Sequence, residues 1–231
     1  MMASMGAMSK PFPAIVSFDI DDTLIDFSAM LSGALSAVAR QLEARSGQRI
    51  SVSRLQEARN GVASEIDFAD AHFEVIRRES FRRVLAEIGS DGDAGDLWQV
   101  WQTYRASNYP LYPDVIPALQ WLQSSGMKIV AASNGNTDLR NSSIFPFFDA
   151  LYYSEALGSR KPAIDFFHGV ARGMGVRPAE ILHIGDSFRE DFQGADAAGM
   201  RAVWLNRSRT ASVDGTLTIF SLNEIAGVLV D

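Results

Sequence analysis

The chain has 231 residues, of which 47% are hydrophobic, 21% are charged and none is cysteine. That size holds one large domain, or a core with a smaller insert; the composition excludes a disordered chain, a disulfide scaffold and thiolate metal sites. With 21 basic and 28 acidic residues the net charge is −7. Such a balance argues against nonspecific binding to nucleic acid or an anionic membrane, but not against a small anion bound through a metal.

The N-terminal stretch is rich in Met, Ala and Ser, with one Lys at position 10 and no apolar run of signal-peptide length. Residues 1–11 are expected to be a disordered tail. No run of about eighteen apolar residues occurs, so no transmembrane helix is placed and the expected location is the cytoplasm. Ala14–Phe18 is the first buried-looking run, short and nearly all apolar, as a central parallel strand covered on both faces should be.

From Phe27 to Asn108 the pattern changes. Phe27, Met30, Leu31, Leu35, Val38 and Leu42 recur at helical spacing, as do Phe73, Ile76, Phe81, Val84, Leu85 and Ile88, then Leu97, Trp101 and Tyr104. Gly47, Gly61 and Gly89-Ser90-Asp91-Gly92 punctuate them, which predicts an insert of three or four helices. Arg59 and Asn60, before Gly61, are expected in a loop. Arg77, Arg78, Arg82 and Arg83 are read as a solvated helix face, with Glu79 and Glu87 nearby. Trp98, Trp101 and Trp121 are expected in the core or an interface. His72, His168 and His183 lack metal-ligand spacing, and His183 is expected to be packed in the core.

Tyr109-Pro110-Leu111-Tyr112-Pro113 marks the return. Strand-like runs follow at Met127–Ala132, Ala150–Tyr153, Ile181–Ile184, Ala202–Leu205 and Leu217–Phe220, with helix-length stretches such as Pro117–Ser124 and Ala163–Gly173 between them. This alternation predicts an α/β doubly wound parallel sheet, with residues 12–26 and 109–231 as the core and 27–108 as an inserted all-helical domain.

In such a sheet ligands bind beyond the carboxyl ends of the strands. The first run ends in Asp19-Ile20-Asp21-Asp22-Thr23, whose carboxylates repel unless a cation or a shared proton relieves them; a hard cation such as Mg²⁺ suits oxygen ligands. The second ends in Ser133-Asn134-Gly135, a hydroxyl and backbone amides suited to a phosphoryl oxygen. Lys161 precedes a Pro and a helix. The fourth run ends in Gly185-Asp186-Ser187, and Asp191 follows five positions after Asp186. Taken singly, these are a solvated acidic turn, a turn, a surface charge and a capped helix.

Together, and in this order at predicted strand ends, Asp19-x-Asp21-x-Thr23, Ser133, Lys161 and Gly185-Asp186-Ser187 with Asp191 resemble the haloacid dehalogenase superfamily, whose members are mostly phosphatases. The resemblance runs from about Pro13 onward, and the insert looks like the family's helical type 1 cap. It implies a phosphatase in which Asp19 is the nucleophile forming an aspartyl-phosphate and Asp21 is the general acid and base. Mg²⁺ would be held by the Asp19 and Asp186 carboxylates and the Asp21 backbone carbonyl. Ser133 and Lys161 would stabilise the transferring group, while Asp22, Thr23, Asn134 and Gly135 would line the substrate. Asp191 and Ser187 would lie behind them, Asp191 orienting Lys161 or a metal-bound water.

Position 22 is Asp where many relatives have Gly, and its backbone amide is expected to stay available. Family members that cleave carbon–halogen or carbon–phosphorus bonds generally lack an Asp at position 21, so its presence favours phosphate esters. The alternatives are a dehalogenase or phosphonate hydrolase, and a non-catalytic binding or regulatory protein. The expected partner is a small phosphorylated substrate, with no nucleic acid or membrane, and the expected state is a monomer or homodimer.

Overall fold

Ile15, Val16, Ser17 and Phe18 are all buried, the pattern of a strand flanked by strands and covered on both faces. The computed structural model describes residues 13–69, 71–210 and 213–230, and the expected tail lies outside them. The strands are β1 (Ile15–Phe18), β2 (Lys128–Ser133), β3 (Ala150–Tyr153), β4 (Ile181–Gly185), β5 (Arg201–Leu205) and β6 (Thr218–Ile219). They form a six-stranded parallel sheet in the order β3-β2-β1-β4-β5-β6.

The strands lie where the apolar runs predict, with small shifts. The second starts one residue later than the run and includes Ser133, and the last shortens to Thr218–Ile219. Phe18 pairs with Ala131 of β2 and Ile184 of β4. The chain therefore leaves β1, β2 and β4 at one edge, where the strand order reverses direction and ligands collect in open α/β sheets.

By contacts the chain forms two compact units. One runs through Asp26 and resumes at Leu111; the other is Phe27–Pro110. The second unit consists of α1 (Phe27–Ser46), α2 (Val52–Ala63), α3 (Phe73–Glu87) and α4 (Ala94–Ser107). Leu35, Val38, Leu42, Leu55, Phe81, Leu97, Trp98 and Trp101 build its core, so the helical period in the sequence marks the buried faces. Ser51 accepts from the Arg54 amide and caps α2, and Asp93 caps α4 through the Gly95 amide.

Arg59 and Asn60 lie within α2, not in a loop, and Gly61 does not break it. A mid-helix glycine costs only about 1 kcal/mol, and Leu55 and Val62 are buried on either side of this one.

In the sheet unit the helices are α5 (Val115–Ser124), α6 (Ser154–Leu157), α7 (Ile164–Met174), α8 (Gly194–Ala197) and α9 (Ile225–Val230), with a π-helical turn at Phe188–Gln193 before α8. Phe166, Phe167 and Val170 of α7 pack with Ile15, Val130 and Ile181 of the sheet. No described helix is long and apolar enough to cross a membrane.

Candidate active site at the carboxyl edge of the sheet

Asp19 follows β1 directly. Its amide donates to the Ile184 carbonyl at 2.9 Å, which carries the sheet register one residue further and fixes where the side chain emerges. The Lys161 ammonium, only 2% exposed, donates to Asp19 Oδ1 and, at 2.6 Å, to Asp191 Oδ1. A buried ammonium without such partners would lose its proton. Burial does push Lys161 down, but Asp19 and Asp191 outweigh it and hold the ammonium above its ordinary value.

Asp191 lies in the π-helical turn and is 1% exposed. Its Oδ2 accepts from the Ser187 amide at 2.9 Å, and its Oδ1 also meets His183 Nε2 at 3.2 Å. Burial would raise this carboxyl, yet Lys161 and His183 hold it well below the usual carboxylate range. His183 is buried as expected, and burial lowers its basicity. With its proton on Nε2, facing the carboxylate, Nδ1 accepts from the Ser17 hydroxyl at 3.0 Å. Gly185 is required beside this cluster, because a Cβ there would stand 2.2 Å from Asp191 Cγ.

The loop after β1 is pinned at three points. Asp21 Oδ1 accepts from the Thr137 hydroxyl at 2.7 Å. Asp22 sits at φ 59°, and its amide donates to the Ile25 carbonyl at 2.7 Å. The expectation that this amide stays available therefore fails, because the turn consumes it. Thr23 Oγ1 accepts from the Asp186 amide at 3.0 Å and donates to Asp186 Oδ1 at 3.4 Å.

The loop after β2 is organised by side chains. Buried Ser133 accepts from the Gly135 amide at 2.9 Å. The Asn134 side chain is engaged within the protein: its Oδ1 accepts from the Lys161 amide at 2.7 Å, and its Nδ2 donates to the Lys161 carbonyl at 2.9 Å and to Glu190 Oε2 at 2.8 Å. It fixes the backbone that carries the ammonium. A Cβ on Gly135 would stand 2.4 Å from Asp21 Oδ2, so glycine is needed there. A cleft of about 360 Å³, lined by Gly135, Asn136, Asp138, Arg140 and Tyr153, adjoins this loop.

Asp19, Asp186 and Asp191 each bring one carboxylate oxygen within 4.8 Å of the others. Both oxygens of Asp191 are engaged, which leaves Asp19 and Asp186 as the donors. Burial, with Asp191 and Asp22 nearby, pushes Asp186 up to about 6. Burial, with Asp191 adding to it, pushes Asp19 well up despite Lys161. This edge holds more negative charge than Lys161 can balance, and its donors are all oxygen. The residues fit a hard divalent cation such as Mg²⁺.

The fold thus gathers Asp19, Asp21, Thr23, Ser133, Lys161, Asp186, Ser187 and Asp191 at one sheet edge. Sequence reasoning missed Thr137, Glu190 and the part His183 plays behind Asp191. Thr137, four residues past Ser133 in the same loop, was open to discovery by position; Glu190 meets Asn134 across 56 positions, and His183 meets Asp191 only because the chain turns back within eight residues of it.

The haloacid dehalogenase-like hydrolase family profile matches residues 13–199. The chain is 30% identical over 203 residues to a glyceraldehyde 3-phosphate phosphatase of Methanopyrus kandleri, covering 84% of each chain. It is also 30% identical over 201 residues to one from Methanothermobacter thermautotrophicus, covering 84% of this chain and 86% of that one. Among solved structures it is similar to a 2-haloacid dehalogenase from Pseudomonas syringae pv. Tomato DC3000, with TM-score 0.73 and 28% identity over 94% of this chain and 98% of that one. By profile, by sequence and by fold, the chain belongs to the haloacid dehalogenase-like hydrolases.

Proposed function

We propose that this enzyme is a Mg²⁺-dependent phosphatase that hydrolyses a small phosphorylated metabolite through an aspartyl-phosphate on Asp19. The phosphatase part is supported by the named activity of its sequence relatives. The observation that carries the chemistry is Asp21, two residues beyond Asp19, with its carboxyl anchored by Thr137. Phosphoryl transfer to Asp19 expels an alkoxide that needs a proton, and a halide leaving group needs none.

In this reading an Asp19 carboxylate oxygen attacks phosphorus and the ester P–O bond breaks. Asp21 gives its proton to the leaving oxygen, then takes one from the water that hydrolyses the acyl phosphate. Lys161, fixed by Asp191 and by the Asn134 clamp, lies on Asp19 and offsets charge on the nucleophile and transferring group. Ser133 and the amides of its loop receive a phosphoryl oxygen. The Asp19 and Asp186 carboxylates and the Asp21 carbonyl would hold the cation, which would supply positive charge to an otherwise anionic encounter. The helical unit serves as the cap that selects substrate.

The likeness to a 2-haloacid dehalogenase favours a second reading, carbon–halogen cleavage by the same nucleophile. A panel of phosphomonoesters with Mg²⁺, read by released phosphate, and 2-chloropropionate, read by released chloride, separates the two. Phosphate release with no chloride release is expected. Chloride release alone overturns the proposal.

A further inference from the structure

Four arginines crowd α3, and three of them are paired. Arg78 meets Glu74, Arg82 meets Glu79, and Arg83 meets Glu79 and Glu65. Arg77 turns the other way and is 5% exposed. Among the described residues the only hydrogen-bond partner of its guanidinium is the neutral Gln56 Oε1, at 3.3 Å from Nη2. Its Nη1 is buried with no acceptor.

The surroundings deepen the imbalance. The Arg77 guanidinium carbon stands 4.7 Å from the Trp101 ring centroid, and that of Arg105 stands 5.9 Å from the same ring. Trp101 Nε1 is also buried with no acceptor. The ring face offers a cation some compensation but is a far weaker acceptor for an N–H than an oxygen is. Burial, then repulsion from Arg59 and Arg105, pulls Arg77 down to about 10, which leaves it charged at neutral pH. A buried cation and two orphaned donors in one cluster are costly unless an acceptor with negative charge joins them in the working protein.

We propose that Arg77 and Trp101 form a binding site for a small oxyanion, a carboxylate or a phosphate group, within the helical unit. An oxyanion oxygen takes the place of the Gln56 amide oxygen on Nη2, and the same group reaches Nη1 and the Trp101 N–H. Gln56 is half-buried, so its side chain is the part able to yield. Guanidinium and oxyanion pair through parallel hydrogen bonds that a neutral amide does not match. The inference does not rest on the phosphatase reading, since binding is read without turnover.

The test is thermal unfolding of the full chain in sodium malonate or inorganic phosphate, against NaCl of equal ionic strength. Tm is expected to rise by roughly 3 °C at about ten times Kd. Arg77→Met, which keeps the stem and drops the charge, is expected to lose the malonate shift. Trp101→Phe, which keeps the ring and drops the donor, is expected to need several-fold more anion for the same shift. Arg82→Gln, on the paired face, keeps the full shift. Half-saturation at lower malonate than phosphate assigns a carboxylate ligand, and the reverse assigns a phosphoryl group. A phosphate shift that survives undiminished in Arg77→Met belongs to the sheet-edge site, and together with no malonate shift in the parent it overturns the proposal. No rise beyond NaCl with either anion, or an equal malonate rise in Arg77→Met, overturns the proposal. If Arg77→Met proves too unstable to read, an undiminished malonate response in Trp101→Phe overturns it instead.

Discussion

Arg207 Nη2 donates to the Thr23 carbonyl oxygen at 2.8 Å, joining the loop after β5 to the turn after β1 across 184 positions. The same guanidinium pairs with both oxygens of Asp114, at 2.9 and 3.0 Å, and lies 4.0 Å from the Tyr112 ring centroid. Thr23 in turn holds the Asp186 amide. Arg207 thus braces the backbone behind the candidate cation site. Arg207→Met is expected to cost about 2–3 kcal/mol, because it strands a mostly buried Asp114 and a carbonyl. Arg207→Lys keeps the charge without the fork and should recover less than half. Urea unfolding measures both.

Asp19→Asn removes the nucleophile and conserves volume, and Lys161 retains Asp191. Phosphate release should fall by about 10³-fold or more while unfolding stays cooperative. Turnover near that of the parent would remove Asp19 from the mechanism.

Chelation should stop turnover and added Mg²⁺ restore it. Asp186→Asn should raise the Mg²⁺ concentration for half-maximal rate by about tenfold or more, since it deletes one of two anionic donors. A Mg²⁺ titration of initial rates reads this directly. An unchanged midpoint would place the cation elsewhere.

Gly135→Ala sets a methyl 2.4 Å from Asp21 Oδ2. The clash displaces the carboxyl from Thr137 and should lower kcat more than it raises KM, because proton delivery suffers more than binding. Steady-state kinetics separate the two effects.

Asp114 supplies the pH dependence. Burial would raise its carboxyl, but Arg207, Ser221 and the Leu222 amide together hold it below the ordinary value. A carboxyl depressed in the folded state stabilises above its unfolded pKa of about 3.9, and that contribution fades as pH falls through the folded value. The stability gap between the parent and Asp114→Asn should therefore be full at pH 6 and shrink steadily below pH 4. Chemical unfolding at a series of pH values shows whether it does.

Much of the fold was legible because strands buried on both faces must be continuous apolar runs. Ile181–Ile184, buried throughout, reads directly in the sequence and misses only Gly185; Ala150–Tyr153 reads as a run too, although that edge strand is only half-buried. The strand-end carboxylates were legible because strand ends are fixed once the runs are found, whereas Lys161, in the turn between α6 and α7, stood out only by its place before a Pro and a helix. What escaped were contacts set by tertiary packing. Asn134 clamps a backbone 27 positions away, a contact that no local pattern marks. Arg207 and Asp114 are 93 positions apart, and no local period links them. Arg59 and Asn60 fall in a helix and not a loop because a single glycine does not break a helix whose buried neighbours carry it through. Arg77 looked like one more solvated cation, because helical spacing alone does not show which way one arginine of four will turn.

The chain contains three lysines, at positions 10, 128 and 161. Lys128 is exposed at the start of β2, whereas Lys161 is sealed between two carboxylates. Acetic anhydride should modify the first within seconds and leave the second untouched until the polypeptide opens. The lag between the two acetylations, followed by mass spectrometry of tryptic fragments, would clock how often the sheet edge comes apart, with the outer amine as its own internal standard.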